Sequence, residues 1–188
     1  MVSLADLWLP ILTAAVFVFL VSSVMHMCIP IHKSDYEELP DEDRVKDSLR
    51  EAGVGPGAYV FPHCESMKDL GTPETLEKFK KGPVGFMIIQ PNGPPTMGKA
   101  LGQWFVFTIV ISVFVAYLGS LSGLAVGADG MAVFRFTATV AFLGYGMGSV
   151  CDSIWKGIAW VVTAKFLFDG ALYALATGAA FMWLWPSL

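Results

Sequence analysis

One stretch constrains this chain more than any other: residues 158–185, IAWVVTAKFLFDGALYALATGAAFMWLW. A helix rising ~1.5 Å per residue over that length exceeds the ~30 Å hydrocarbon thickness of a bilayer. Trp160 stands near one end and Trp183 and Trp185 near the other, where amphipathic rings settle at membrane interfaces. The run therefore reads as a membrane span. Lys165 and Asp169 lie inside it, four residues apart and so on one helical face.

Three more apolar runs follow. Residues 7–29 read as a first span, with Pro10 in its first turn and Pro30 stopping it. Asp6 is the only charge ahead of that run and no small-residue cleavage pattern follows it, so it reads as a retained span and not a cleaved leader. Residues 104–126 form an uncharged second span, residues 131–150 a third, and residues 158–185 a fourth. Small residues recur four apart on the last three: Gly119, Gly123 and Gly127; Gly144 and Gly148; Gly170, Ala174 and Gly178. Such spacing lets helix backbones approach closely in lipid.

Charge is segregated. Of 28 Asp, Glu, Lys and Arg residues, 21 fall within residues 33–99. The 15% charged fraction is below the ~25% of ordinary soluble domains. A net charge of -4 argues against a nucleic-acid partner. The polar stretch, residues 30–102, carries its own local signals. Pro40 opens and Gly53 ends a helix. A second helix has Thr72 as N-cap, Pro73 at the first position, early Glu74 and Glu77, late Lys78, Lys80 and Lys81, and Gly82 after it. AYVF and VGFMIIQ are strand candidates.

The expected fold is an all-α membrane protein with four transmembrane helices and a small α+β insertion after the first. Its parts are residues 1–29, a first helix; residues 30–102, the polar insertion; and residues 103–188, a three-helix transmembrane bundle. Four spans put both termini on one side, and ten of twelve Lys and Arg on the other. The positive-inside rule then places residues 30–102 in the cytoplasm and the termini in the periplasm. Cys28, Cys64 and Cys151 all fall on the reducing side, which argues against disulfides.

Three sets of residues carry candidate chemistry. Arg135, Lys165 and Asp169 are charges inside spans, where insertion costs ~2.5–3.5 kcal/mol each at the bilayer centre. Asp169 reads as near mid-depth, and Lys165, one turn nearer the cytoplasm, as either its ion-pair partner or a side chain that snorkels to the interface. The functional reading is an ion or proton pathway or a polar solute site. The bland one is a structural pair, with Arg135 reaching an interface. The second set is His26, Cys28, His32, His63, Cys64 and Met67, which with Met25 and Met27 would suit copper or, with fewer methionines, zinc. No standard ligand spacing links them, and histidines avoid lipid, so one large loop collects them in any case. No other cofactor is expected; only His26 lies in a span, which disfavours a haem. The third is GPPTMGKA, residues 93–100, close to the phosphate-loop pattern. Ala100 replaces the metal-binding hydroxyl and Pro94 and Pro95 remove two N–H groups, so no nucleotide site is assigned. No catalytic nucleophile with its base is recognisable, so no catalytic residue is assigned.

The segments KGPVGFMIIQPNGPPTMGKAL, DSIWKG and DGALYALATGAAFMWLWP resemble a group of uncharacterised bacterial inner-membrane proteins. The resemblance implies four spans in a bacterial inner membrane and implies no activity. Three readings of function follow. One is a non-enzymatic membrane subunit or scaffold, partnered by another protein or by copies of itself. The next is a small oligomeric transporter using Lys165 and Asp169. The last is a copper-handling membrane protein.

Overall fold

The computed structural model describes residues 2–187. Contacts divide the chain into two units, Met1–Asp35 with Thr96–Leu188, and Tyr36–Pro95.

The first unit is helical. Helix α1, Trp8–Met27, is led by a short 3-10 turn, Leu4–Leu7, that Ser3 and Asp6 close by a reciprocal capping box. Pro30 ends α1 and opens a 3-10 turn, Pro30–Ser34, which belongs to the helical unit. After α2, Glu42–Glu51, and α3, Pro73–Lys81, of the other unit come α4, Met97–Leu121; α5, Gly130–Tyr145; α6, Val150–Lys156; and α7, Trp160–Leu184. Three helices are long and apolar enough to cross a membrane: Leu4–Met27, Met97–Leu121 and Trp160–Leu184.

Helix α5 is the departure from expectation. A continuous third span over residues 131–150 does not form: α5 stops at Tyr145, a 3-10 turn occupies Met147–Ser149, and α6 restarts at Val150. Sixteen residues make ~24 Å of helix, short of the hydrocarbon thickness. The cause is local and tertiary at once. Gly144, Gly146 and Gly148 weaken the helix, and Gly146 lies against α7 so closely that a Cβ on Gly170 would come within 2.7 Å of its Cα.

Neighbouring helices run antiparallel and close a ring. Trp104 of α4 donates to the Ser22 hydroxyl of α1 at 2.8 Å, and Thr108 lies by the Ala15 carbonyl. Ile111 of α4 meets Gly144 of α5. Gly130, Ala138 and Gly146 along α5 face Met182, Gly178 and Gly170 along α7. Phe17 of α1 stacks on Trp183 of α7, which completes the circuit. Leu7, Val18, Val115, Val133, Ala180 and Phe181 are buried in this unit.

Of the small-residue series, Gly119, Gly144, Gly170 and Gly178 do serve close packing. Gly123 and Gly127 instead take positive φ in the turn between α4 and α5. Arg135 is exposed on α5 and has no ion-pair partner among the described residues.

The second unit holds α2, Glu42–Glu51; α3, Pro73–Lys81; and a two-stranded antiparallel sheet of β1, Gly57–Phe61, and β2, Gly85–Ile89. Thr72 caps α3 by accepting from the Thr75 N–H, as its sequence dictates. Residues 93–95 run as a loop into α4, with Lys99 in its first turn.

Candidate functional site

Helix α7 is longer than α1 can cover. With Phe17 at Trp183 and His26 at Asp169, α1 ends where α7 still has two turns to run. The turn Pro30–Ser34 folds over that remainder: the His32 ring lies 5.4 Å from Phe166, centroid to centroid, and Lys165 Nζ donates to Ser34 Oγ at 2.9 Å. Asp169 is thus level with the last turn of α1 and nine residues past the start of α7.

The expected Lys165–Asp169 pair does not form. Lys165 Nζ donates to Asp35 Oδ1 at 2.6 Å, and Asp169 Oδ2 faces His32 Nε2 at 2.8 Å. The other imidazole nitrogen, Nδ1, lies 2.6 Å from Asp35 Oδ2. A continuous polar chain therefore runs Lys165, Asp35, His32, Asp169. One turn along α7 separates Lys165 from Asp169, and the 3-10 turn supplies a better partner to each. Burial alone would raise the Asp35 pKa, but hydrogen bonds and charge from Lys165 and His32 outweigh it and hold the carboxyl below its usual range.

Asp169 is 2% exposed, and its Oδ1 is buried with no hydrogen-bond partner. His26, from the last turn of α1, brings Nε2 to 3.7 Å from Asp169 Oδ2 and to 3.3 Å from the Tyr173 hydroxyl. Its ring lies 4.5 Å from that of His32. Both histidines thus converge on one carboxylate oxygen.

Asp169 lines a cavity of about 680 Å³ with Ser22, Ser23 and His26 of α1, Leu101 and Trp104 of α4, Tyr145 of α5, and Tyr173 of α7. Trp104, Tyr145 and Tyr173 pack on one another with centroids 5.6–6.2 Å apart. Beyond them the buried hydroxyls of Thr108, Ser112, Thr137 and Thr177 each donate to a carbonyl of their own helix. These hydroxyls are satisfied locally and do not extend the polar chain.

Of the six residues singled out as metal ligands, the structure brings together His26 and His32 and adds Asp169. These three are the one group of His, Cys, Asp and Glu, among the described residues, whose ligand atoms all lie within 4.8 Å of one another. Cys28 is exposed and outside the group. His63, Cys64 and Met67 belong to the other unit. Sequence reasoning missed Asp35 altogether. Its signal was the PIHKSD segment directly after a span, where a proline-started turn brings a His and an Asp three residues apart.

No protein-family model, curated protein or solved structure matches the chain.

Proposed function

We propose that the chain is a small carrier that binds a cation at Asp169 within its membrane unit. The observation that carries this reading is the buried Asp169 carboxylate, which faces a cavity with one oxygen unpartnered. An acidic group kept in a membrane without its full complement of partners is expensive, and function is the usual reason for retaining one. Two further features support it. The helix beside the site is broken between Tyr145 and Val150, the kind of interruption that flanks midplane and cavity sites in carriers. The bundle beyond the aromatic residues is closed by core side chains, which suits a carrier and not an open channel.

In this reading the segment from α5 through α6 acts as the fourth, interrupted crossing. Ser153 of α6 is hydrogen-bonded to Thr163, so the two pieces together follow α7 along most of its length. The protein lies in a bacterial inner membrane, with the polar unit, Tyr36–Pro95, in the cytoplasm.

The test is cation uptake into proteoliposomes of the full chain, loaded with a cation-responsive dye. The wild type should exceed empty vesicles, and Asp169→Asn should fall at least tenfold at unchanged helicity and elution volume. Equal uptake by the two proteins would remove Asp169 from the transport role.

A second reading, a partnered subunit, has its own observation. Ala58, Val60, Phe86 and Ile88 share one face of the two-stranded sheet and are all exposed. An apolar face of this kind suits a protein partner. Stoichiometric co-purification from the native membrane in mild detergent, lost on Phe86→Lys with Ile88→Lys, would establish it. Retention of the partner by that variant would discard it.

A further inference from the structure

We infer that the cation bound at Asp169 is a divalent transition metal of the zinc class, ligated by His26 Nε2, His32 Nε2 and the Asp169 carboxylate. The inference rests on the cation-binding reading above and names its ligand chemistry.

An imidazole that donates from one nitrogen offers a lone pair at the other. Asp35 Oδ2 lies 2.6 Å from Nδ1 of His32, so the tautomer that donates to Asp35 turns the Nε2 lone pair to the Asp169 carboxylate oxygen 2.8 Å away. In that tautomer two acceptors face each other, an arrangement that a bound cation satisfies. A proton on Nε2 would satisfy His32 and Asp169 without engaging His26, whose Nε2 lies 3.3 Å from the Tyr173 hydroxyl and 3.7 Å from the same carboxylate oxygen. One metal ion satisfies all three. A tetrahedral zinc with ~2.0 Å bonds needs ligand atoms about 3.3 Å apart. The two separations from the Asp169 oxygen, 2.8 and 3.7 Å, bracket that value, and all three ligand atoms lie within 4.8 Å of one another.

Three further observations point the same way. Metal-bound histidines almost always give their second nitrogen to a carboxylate, a backbone carbonyl or water, which fixes the tautomer; Asp35 is so placed for His32, and Lys165 anchors Asp35. The unpartnered Oδ1 of Asp169 lies on the ligating carboxylate itself, free for a second bond to the ion. Two imidazoles and one carboxylate, with no sulfur, match zinc and its divalent neighbours and not cuprous copper, which soft ligands select. The fourth position belongs to water or a solute in the cavity. Asp35 is a positioning residue here, acting through His32.

The experiment is isothermal titration of Zn²⁺ into the metal-stripped full chain in detergent, with Co²⁺ absorption as a report on geometry. One ion per chain should bind, and Co²⁺ should give the intense visible bands of a four-coordinate site. His26→Ala, His32→Ala and Asp169→Asn should each weaken binding at least tenfold. Asp35→Asn should weaken it 10- to 100-fold and alter the Co²⁺ bands, and Asp35→Glu should recover part of the affinity. Cys28→Ala and Cys64→Ala should bind as wild type. Helicity and elution volume identify variants that fail to fold, and a single Zn²⁺ titration of the wild type decides the matter if several do. Absence of saturable binding to the wild type would overturn the site, as would binding that survives both His32→Ala and Asp169→Asn or that vanishes with Cys28 or Cys64. Wild-type zinc binding without cation uptake would uphold the site and overturn the carrier. Cation uptake by a wild type that binds no zinc would do the reverse.

Discussion

His32 has an ionisable partner at each ring nitrogen, and the partner of each partner sets what the cluster can do. Lys165 is tied to Asp35 and not to Asp169, although sequence spacing favours the latter. On a helix, residues four apart are neighbours, but an isolated pair of that kind contributes only ~0.2–0.5 kcal/mol. A shielded carboxylate that also contacts an imidazole offers Lys165 more. A double-mutant cycle of Lys165→Met with Asp35→Asn, read by denaturant unfolding of the metal-free protein in detergent, should give a coupling of about 1–2 kcal/mol. Strict additivity would show that the contact does not contribute. At this scale the sequence exposed the charged residues and both histidines. It left Asp35 among 21 charges of one polar segment, because nothing local distinguishes an acid that folds back onto a distant helix from one that faces water.

At the scale of the helices, the decisive contact is between two glycines. Gly170 admits no Cβ: the atoms it would meet, at 2.7 and 2.9 Å, are the Gly146 Cα and N. Backbone cannot move aside as a side-chain tip can. Gly170→Ala should therefore cost about 1–3 kcal/mol by overpacking. Gly98, in the first turn of α4, has nothing within 4 Å of an added Cβ. Gly98→Ala should be neutral or stabilise by up to ~1 kcal/mol through backbone entropy. Thermal unfolding of both variants in one detergent checks the contrast, and equal effects would show that the Gly146–Gly170 approach is not tight. The small-residue spacing in α7 forecast this contact in kind. Whether α5 continues through Gly146 or breaks there was hidden, because it depends on α7 pressing against that position.

At the scale of the molecule, the proposed topology puts Cys28, Cys64 and Cys151 on one side of the membrane and both termini on the other. A membrane-impermeant maleimide should label Cys28 and Cys151, both exposed, in inside-out vesicles and not in intact cells. A cysteine introduced by Ser187→Cys should show the opposite pattern. Labelling of Cys28 and Cys151 from opposite faces would mean that the α5 to α6 segment does not act as a crossing.

The sequence by itself determined that the chain is a membrane protein with one polar insertion, and it located the first and last long helices and the strands of that insertion; the second long helix, Met97–Leu121, begins and ends several residues before the expected 104–126. Those properties are local sums: hydropathy over twenty residues, a proline or glycine at an end, a capping threonine. Only the tertiary structure decided that His26, His32 and Asp169 meet while Cys28 stands apart, and that the third apolar run is two helices. The first depends on the offset between α1 and α7, which leaves the start of α7 bare for the Pro30–Ser34 turn to cover, and the second on the close approach of Gly146 to Gly170. That offset is set by packing along the whole helix pair, and no single stretch of sequence contains it.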